Sequence, residues 1–421
     1  MHALDVKAGQ INICQICRSK KLQNIVNLGH SGLCDSLLSK KDLNKPEKSY
    51  PLNLFRCKDC QLIQINHAVN HEEIFHQNYP YKGGITKPLK NYLHSTSSYV
   101  KKKFNFKKTK PLVIDIGSND GTLLQGFKNN NFEVLGIEPT GIAKIANKNG
   151  IKTIQKFFQL DTAKSVLKSH GKIDVITGTN VFAHVNKLDT FMRGVKLLLN
   201  PKEGIFVTES HYAVDIINDL QFDSVYHEHL RFFLLKPLIK LMQSYNFRII
   251  DAVRIPNYGG SIRVVATLNK KLPVSKNVKK ILLMEKKYGF YSSKKYIKFS
   301  KNIFALRKNL MNKLWSLKSK NKKIVGAGCP GRSITLLSFC GINNQLLEYI
   351  AEQSSSLKLN LFTPTSHIKV IDEKKLIVEQ PDYVLVLAWH YGKSVMSNLR
   401  KKGYKGKFII PLPNLKIIND I

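Results

Sequence analysis

Acidic residues are scarce in this chain of 421 residues: 29 Asp and Glu stand against 67 Lys and Arg, which gives a formal charge of +38 at pH 7. A surplus of this size by itself favours a polyanionic partner such as nucleic acid. Most of the basic residues are Lys, spread along the chain without an Arg-rich arm, whereas base recognition favours the forked guanidinium of Arg. We therefore interpret the charge as a solvated surface without a nucleic-acid partner, whose field would attract a substrate that carries a pyrophosphate.

Long apolar segments are also missing. No run of about 18 apolar residues occurs, and the stretch MHALDVKAGQ has neither the apolar region nor the small-residue cleavage site of a secretory signal. We expect a soluble, cytoplasmic protein with no membrane partner. Cysteine usage agrees, because four of the seven Cys form two CxxC pairs, a pattern typical of a metal site in a reducing compartment.

The hydrophobic pattern divides the chain into three predicted units. Residues 1–80 consist of short apolar runs between polar turns and hold five of the seven Cys, as in a small domain stapled by a metal. In residues 81–274 apolar strands alternate with helical stretches, which predicts a parallel, doubly wound sheet. The same alternation returns in residues 275–421, after a Lys-rich helical segment. The predicted fold class is α/β, with a small N-terminal zinc-binding domain, a central Rossmann-like domain and a C-terminal Rossmann-like α/β domain.

Two short cysteine pairs are the first motif with a chemical meaning. Cys14 and Cys17 form one CxxC pair, and Cys57 and Cys60 form the second. Each pair offers two thiolates, and together they match the tetrahedral, four-thiolate coordination of structural zinc. Because four protein ligands leave no open position, such an ion would support folding and take no part in catalysis. Unligated or redox-active thiols are the alternative.

A glycine-containing turn follows the first strand of the central unit, in the segment VIDIGSNDG at residues 113–121. Its spacing, Asp115-x-Gly117-x-x-x-Gly121, differs from the fingerprint that binds dinucleotides. Such an acidic turn leaves room for the amino-acid end of S-adenosylmethionine, whose ammonium and sulfonium charges favour nearby carboxylates over the amides that bind pyrophosphate. An ordinary α/β turn is the alternative.

Two later segments would complete a nucleoside site. Glu138 stands at the predicted tip of the next strand, in GIEP, where an acid accepts both hydroxyls of a ribose in nucleotide-binding folds. Phe157 and Phe158 end the third strand, where an adenine ring needs an apolar wall. Both aromatic residues are equally well explained as ordinary core residues.

Histidine and tyrosine concentrate in two segments of the central unit. His184 ends NVFAH after the fourth strand, and Tyr226, His227, Glu228 and His229 are consecutive. A packing role explains this run poorly, because burying an unpaired Glu is costly and imidazoles are poor core formers. Acid–base chemistry is the preferred interpretation. Metal binding by the two His and the Glu, and a structural hydrogen-bond network, are the alternatives.

A second glycine-rich turn, GAGCPG at residues 326–331, follows a strand of the C-terminal unit. The pattern GxGxxG offers helix amides to a phosphate, although a tight turn that needs small residues produces the same pattern. We find no obvious acid at the tip of the following strand, where NAD binding would use one for the ribose. The turn therefore favours the diphosphate of a nucleotide sugar over NAD.

Together these motifs resemble one family, the zinc-containing sugar C-methyltransferases of the deoxysugar C-3-methyltransferase type. The likeness spans nearly the whole chain. It rests on the two CxxC pairs, YPYKGG, IDIGSNDG, GIEP, KFF, NVFAH, VYHEH, GGSIR, GAGCPG, TPTSHI and VLAW. The resemblance implies a class I methyltransferase domain that binds S-adenosylmethionine at the centre, and a C-terminal domain that helps to hold a nucleotide-linked keto sugar.

The resemblance also implies roles for single residues. His229 would be the general base, and the residues that line the sugar site would be Tyr79, His184, Tyr226 and Glu228. The predicted cofactor-binding residues are Asp115, Gly117, Asn119, Asp120, Gly121, Glu138, Phe158 and Asn180. The predicted substrate-binding residues are Tyr81, Arg263, Gly328 and Gly331.

The implied reaction transfers a methyl group to carbon of a nucleotide-linked keto-deoxysugar, in the biosynthesis of a surface polysaccharide or a natural product. A sugar C–H is acidic enough only beside a carbonyl, so the substrate must be a ketone and the reaction passes through an enolate. Methyl transfer to a sugar oxygen or nitrogen, which needs no ketone, is one alternative. A zinc-ribbon protein that binds nucleic acid, or an RNA methyltransferase, is the other.

Overall fold

The computed structural model describes residues 2–75, residue 84 and residues 87–419. It has the predicted α/β architecture, built on three main β-sheets. Helices cover the sheets and connect their strands. Throughout the described ranges, no helix is both long and apolar enough to cross a membrane.

The N-terminal unit is built on antiparallel strands. Its elements are β1 (Gly9–Gln10), β2 (Leu22–Ser31), β3 (Tyr50–Cys57), β4 (Ile63–Ile65), β5 (His67–Ala68) and the short helix α1 (His71–Ile74). Strand β1 pairs with β5, and β2, β3 and β4 form an antiparallel sheet. This sheet takes its last strand from outside the unit, because β11 (Arg231–Phe232) pairs with β4. The chain that follows the Tyr-His-Glu-His run therefore belongs to the sheet of the N-terminal unit.

The central unit contains the predicted doubly wound sheet. Its strands are β6 (Leu112–Ile116), β7 (Glu133–Ile137), β8 (Thr153–Ile154), β9 (Val175–Thr179), β10 (Ile205–His211), β12 (Arg248–Ile255) and β13 (Ser261–Thr267). They lie in the order β12-β13-β10-β9-β6-β7-β8, and β13 runs antiparallel to both of its neighbours. Because the chain winds in opposite directions on the two sides of the β6–β9 pair, a ligand-binding crevice is expected at the carboxyl ends of these two strands.

Helices cover both faces of the central sheet, which is why β6 is buried along its whole length. These helices are α2 (Lys87–Lys103), α3 (Thr122–Asn129), α4 (Ala143–Lys148), α5 (Leu160–His170), α6 (Leu188–Leu198), α7 (Ala213–Asn218) and α8 (Leu235–Ser244). Helix α6 is typical: Leu188, Phe191, Met192, Val195 and Leu198 form its buried stripe. This helical spacing turns one apolar face toward the sheet.

The C-terminal unit repeats the strand–helix alternation. Its helices are α9 (Lys276–Lys287), α10 (Ser293–Lys318), α11 (Gly331–Cys340), α12 (Glu373–Glu379) and α13 (Gly392–Lys401). Its strands are β14 (Ile324–Ala327), β15 (Ile350–Glu352), β16 (Val370–Asp372), β17 (Tyr383–Val386), β18 (Lys407–Ile410) and β19 (Lys416–Ile418). They lie in the order β16-β15-β14-β17-β18-β19, parallel except for β19. The second Rossmann-like sheet predicted from the sequence is therefore confirmed.

A buried carboxylate joins the Lys-rich helices to the central unit. Glu285 of α9 is fully buried and accepts hydrogen bonds from the hydroxyls of Tyr212 (2.7 Å) and Tyr291 (2.6 Å). It also accepts the backbone N–H groups of Leu235 (2.6 Å) and Lys236 (3.4 Å), at the N-terminus of α8. The first amides of a helix lack partners within the helix, so Glu285 serves as a cap supplied by another helix.

We expect Glu285→Gln to lower the free energy of unfolding by about 1–3 kcal/mol, because an amide nitrogen would face donors that now reach a carboxylate oxygen. Urea denaturation followed by circular dichroism measures the change. Glu133→Gln, at an exposed glutamate on β7, is the matched control. Equal midpoints for the two variants would contradict the capping role of Glu285.

Candidate functional site

The four predicted zinc ligands meet in the N-terminal unit. The Sγ atoms of Cys14 and Cys60 are 3.4 Å apart, those of Cys17 and Cys57 are 3.6 Å apart, and all four lie within 4.8 Å of one another. With Zn–S bonds of 2.3 Å, the edge of a tetrahedral four-thiolate site measures about 3.8 Å. The donor set and its spacing therefore fit a zinc ion.

The two CxxC turns have the same backbone construction. In each turn the N–H of the second cysteine donates to the sulfur of the first, from Cys17 to Cys14 and from Cys60 to Cys57, both at 3.5 Å. The next residue in each turn, Arg18 or Gln61, has a positive φ. Such paired turns aim two thiols at one point, which explains how short spacings in sequence produce one four-sulfur site.

The predicted cofactor crevice lies where the central sheet changes winding direction. Gly117 follows β6 with φ +70°, and a Cβ atom there would collide with the side chain of Val181, which lies beyond β9. Asn180, also at positive φ, donates its N–H to the carbonyl of Glu209 at 3.0 Å. The turns after β6 and β9 thus face each other closely, and Gly117 is required by that approach.

Acidic side chains organise the turn after β6. Glu138, at the tip of β7, accepts the N–H of Asn119 at 3.0 Å and the N–H of Thr140 at 2.9 Å, so both carboxylate oxygens are oriented. Asp120 accepts the N–H of Gly84 at 2.8 Å and thereby ties the chain before α2 to the turn. Gly121, at φ +80°, precedes α3 as its N-cap residue and lies beside Ile151. The predicted ribose-binding acid therefore lies beside the glycine turn.

Asp115 is buried beneath this turn. Its carboxylate accepts a hydrogen bond from Thr177 at 2.6 Å, and only 3% of the residue is exposed. Burial raises the pKa of Asp115 to about 7, and the nearby carboxylates of Glu138 and Glu209 act in the same direction. A cation in the crevice would favour the ionised form of this carboxylate.

The two aromatic residues after β8 have different surroundings. Phe158 packs edge-on against Phe191 of α6, with ring centroids 5.2 Å apart, and lies against Gly194 of the same helix. Phe157 lies beside the imidazole of His71 in α1, at 4.8 Å. These contacts favour the core interpretation for Phe158, whose role in cofactor binding stays a prediction.

Three imidazoles and a phenol form a cluster at the carboxyl edge of the central sheet. The ring of His229 lies 4.7 Å from His184, 4.7 Å from His211 and 4.1 Å from Tyr226, measured between centroids. The sequence analysis missed His211, although its place at the end of β10 follows the rule that singled out His184 after β9. The structure thus brings three predicted catalytic residues together and adds a fourth group.

The hydrogen bond of His229 defines its tautomer. Nδ1 lies 2.7 Å from the carbonyl oxygen of Ser224, which can only accept, so Nδ1 carries the proton and Nε2 of the neutral ring has a free lone pair. Burial lowers the pKa of His229 to about 4, and the pKa of His184 and His211 well below the usual range. Burial raises the pKa of Tyr226 well above its usual range, so its hydroxyl keeps its proton.

The other two members of the Tyr-His-Glu-His run point toward the N-terminal unit. His227 lies 3.2 Å from the carbonyl oxygen of Pro51, and Glu228 accepts a hydrogen bond from the Cys34 thiol at 2.9 Å. Among the described residues, the groups with metal-ligand spacing are the four cysteines and Cys34–Asp35–Glu228, neither of which contains a histidine. His227, Glu228 and His229 do not form such a group among the described residues, because their side chains diverge.

The predicted substrate-binding residues are dispersed. Tyr79 and Tyr81 lie outside the described residues. Arg263 is buried, where its Nε donates to Glu209 at 2.5 Å and its Nη2 to Thr96 of α2 at 2.7 Å. These bonds attach α2 to the sheet, and the role of Arg263 in substrate binding stays a prediction.

The glycine turn of the C-terminal unit is tightly packed. A Cβ atom on Gly328, at φ +77°, would lie 2.8 Å from that of Ala388, and one on Gly331 would lie 3.2 Å from the Cys34 sulfur. Close packing thus explains both glycines, and their role in substrate binding stays a prediction. Glu352, at the end of β15, accepts the N–H of Cys329 at 2.7 Å. This corrects the sequence analysis, which found no obvious acid at that strand tip.

Glu352 and Glu138 hold matching positions in the two Rossmann-like units. Glu352 is the last residue of β15 and Glu138 directly follows β7, in each case the strand after a glycine turn and its helix, and each accepts an N–H from that turn. The sequence signal for Glu352 was weak, because β15 is short and the segment around it reads EYIAEQ without a glycine or proline at the strand end.

Comparisons with known proteins find matches to three successive segments of the chain. Three family models match in the order of the chain: "Putative zinc binding domain" at residues 14–75, "Methyltransferase domain" at residues 92–252 and "C-methyltransferase C-terminal domain" at residues 256–413. The chain is an S-adenosylmethionine-dependent methyltransferase. The order of the three models supports a C-methyltransferase family.

A curated relative matches nearly the whole length of the methyltransferase. It is the C-methyltransferase NovU of Streptomyces niveus, which is 26% identical over 412 residues and matches 97% of each chain. Among solved structures, a methyltransferase of Anabaena variabilis is 18% identical, with a TM-score of 0.33, over 41% of this chain and 82% of that one. The PH0226 protein of Pyrococcus horikoshii is 13% identical, with a TM-score of 0.34, over 47% and 98%.

We expect Cys57→Ser to remove the zinc from the methyltransferase and lower its melting temperature by several degrees, because three thiolates and a hydroxyl hold the ion poorly and the N-terminal unit depends on it. Metal analysis of the purified protein and thermal denaturation measure both effects. Cys340→Ala, at a buried cysteine of α11, is the control and should keep the zinc. A full zinc complement in Cys57→Ser would contradict the assignment of the site.

We expect cofactor binding to weaken as the pH falls below about 7, because Asp115 must lose a proton to face the cation. Above that pH the carboxylate is already ionised and its contribution is constant. Calorimetric titration with S-adenosylmethionine at pH 6 and pH 8, in buffers of different ionisation enthalpy, measures the affinity and the protons released.

The contribution of Asp115 is the difference in affinity and in proton release between the wild type and Asp115→Asn. We expect the variant to bind more weakly at pH 8 and to release fewer protons at pH 6. Asp161→Asn, at an exposed position of α5, should behave as the wild type. Identical proton release by wild type and Asp115→Asn would show that the carboxylate does not titrate on binding.

Proposed function

We propose that the methyltransferase transfers a methyl group to carbon, next to the carbonyl of a nucleotide-linked keto-deoxysugar, through an enolate. The observation that carries the proposal is the hydrogen bond from Nδ1 of His229 to the Ser224 carbonyl oxygen. It leaves the lone pair of Nε2 as a base inside a cluster of neutral donors. Methyl transfer to an oxygen or nitrogen nucleophile has less need of such a group.

The first chemical step assigned to the protein is removal of a proton. Nε2 of His229 takes the proton from the carbon beside the ketone, and the electrons of the C–H bond move to the carbonyl oxygen. The hydroxyl of Tyr226, which stays protonated, is a donor for the oxyanion that forms. The imidazoles of His184 and His211 surround His229 from two further sides and exclude water from it.

The second step forms the new carbon–carbon bond. S-adenosylmethionine, when bound, supplies a methyl group that leaves its sulfonium as a neutral thioether is formed. The enolate carbon accepts this methyl group, while the proton stays on His229 until it is released to solvent. Asp115 and Glu138 would hold the cofactor from beneath the turn and at the strand tip, so that both reactants are kept in contact.

The nucleotide end of the substrate is assigned to the C-terminal unit. Its glycine turn and Glu352 repeat the arrangement around Glu138, which is the arrangement expected to hold a nucleoside. The turn also lies beside Cys34, whose thiol donates a hydrogen bond to Glu228, the residue before His229. A substrate held there would reach from the C-terminal unit to His229. We further propose that the enzyme works in the cytoplasm, where reducing conditions keep the four zinc thiols available.

Sequential calorimetric titration tests the substrate class. Zinc-loaded protein is titrated with S-adenosylmethionine and then with 4-keto sugars linked to dTDP, GDP, UDP or CDP. Saturable binding of both ligands, followed by carbon NMR of the product, identifies the nucleotide and the methylated atom. A new carbon–carbon bond is the expected result, and a methyl group on oxygen or nitrogen would overturn the enolate mechanism.

We expect His229→Asn to lower kcat by at least about a hundredfold while cofactor binding stays unchanged, because general-base catalysis is lost. The exchange of the substrate proton in D2O measures the base step apart from methyl transfer, and it should fall in parallel. His30→Asn, at an exposed position of β2, is the matched control. Unchanged proton exchange in His229→Asn would remove this residue from the base role.

A further inference from the structure

A buried ion pair connects the C-terminal unit to the segment that holds His229. Arg332, in the first turn of α11, donates from Nε and Nη2 to the two carboxylate oxygens of Asp223 at 2.8 and 2.7 Å. Asp223 is completely buried and Arg332 is 6% exposed. A two-pronged guanidinium–carboxylate contact of this kind fixes direction as well as distance.

Other groups of the C-terminal unit strengthen the contact. The indole N–H of Trp389 donates to Asp223 at 2.7 Å, and the Arg332 guanidinium lies 4.9 Å from the Trp389 ring centre. A second bond lies one turn along α11, where the Thr335 hydroxyl donates to the carbonyl of Val225 at 2.9 Å. Residues on both sides of Ser224 are therefore held by the C-terminal unit.

Ser224 itself directs the base. It follows Asp223 in a short 3-10 helix, Phe222–Ser224, and its carbonyl oxygen accepts the Nδ1 proton of His229. If Asp223 lost its contact with Arg332, the peptide group that follows Ser224 could rotate. The Ser224 carbonyl oxygen would then move away from the imidazole of His229. Nδ1 would then lose the partner that determines which ring nitrogen is protonated.

We propose that Arg332, with Trp389, is a positioning residue that holds the Ser224 carbonyl against His229 through Asp223. The C-terminal unit thereby determines the tautomer of the base, in addition to any role in binding substrate. The inference rests on the proposed role of His229. Helix α11 would thus position the base through its contact with the central unit, whether or not it also binds a ligand.

Nitrogen NMR of the zinc-loaded, full-length protein with labelled histidine tests the proposal without substrate. The His229 signals are identified by their loss in His229→Asn. In the wild type we expect the proton on Nδ1 and a lone pair on Nε2 at neutral pH. In Arg332→Met the ring should become a mixture of tautomers, and its pKa should rise because a cation is removed and the Asp223 charge is left unpaired. His184, His211 and Tyr226 also face the ring and are unchanged in the variant.

Kinetics provide the second measurement. Arg332→Met should lower kcat about a hundredfold with little change in KM, because a small displacement of a base is costly, and the acid limb of the pH profile should move to higher pH. Arg332→Lys, which keeps the charge without the fork, should recover part of the activity. Arg307→Met is the matched control, since Arg307 of α10 contacts Phe339 of α11 through its guanidinium at 4.9 Å and has no role in the Asp223 contact.

The outcomes separate the two proposals. An unchanged His229 tautomer and pKa in Arg332→Met would overturn the positioning role, as would a loss of activity confined to KM. If Arg332→Met does not fold, Arg332→Lys and Asp223→Asn provide the same comparison. If the wild type methylates no keto sugar, the proposed function fails, while the NMR measurement still decides whether Arg332 controls the imidazole.

Discussion

The removal of the His229 imidazole from water is the constraint on which the rest of the site depends. Burial keeps the ring neutral at physiological pH, and a neutral ring with one nitrogen already bonded has a single lone pair to offer. No single unit encloses this ring. The central sheet contributes His184 and His211, while the two outer units contact the segment 221–229 through Cys34 and Arg332. The three-part architecture is therefore part of the proposed acid–base chemistry.

An imidazole with a lowered pKa is a weak base for removing a proton from carbon. In the proposed reaction, the attraction between the imidazolium and the enolate oxygen compensates for this weakness. As the proton moves, the imidazole becomes positive and the substrate oxygen becomes negative within the same buried site. The attraction between the two charges is strong there because the surroundings have a low dielectric constant. Burial thus favours the neutral resting state, while the charged state during turnover depends on the attraction between its two opposite charges and on its hydrogen-bond donors.

Much of the fold and part of the site could be predicted from the sequence, and the reason is local. The spacing of hydrophobic residues predicts the alternation of strands and helices. Because the carboxyl ends of parallel strands lie at one edge of a sheet, Asp115, Glu138 and His184 could be singled out from the sequence. The zinc site could be predicted equally well, because each CxxC turn is formed by four consecutive residues. In such cases the relevant geometry follows from neighbours along the chain.

The features that sequence analysis missed depend on contacts between distant segments. His211 was not singled out in the sequence, and nothing in the sequence distinguishes Arg332 from the other cations of a basic chain, because its pairing with Asp223 joins two distant segments. The directions of His227 and Glu228 could not be deduced, since they follow from where β11 leaves the central unit. Arg263 is a similar case, because its burial beside Glu209 depends on the docking of α2.

The strand β11 has a further consequence for how the molecule is made. The zinc ligands all lie within residues 14–60, so the ion has its complete ligand set early in synthesis, whereas the sheet beside them waits for residues 231 and 232. During translation the N-terminal unit would therefore have an unpaired strand edge on β4 until most of the central unit has left the ribosome. Closure of that edge and completion of the histidine cluster would be one late event, which links the quality of folding to the assembly of the base.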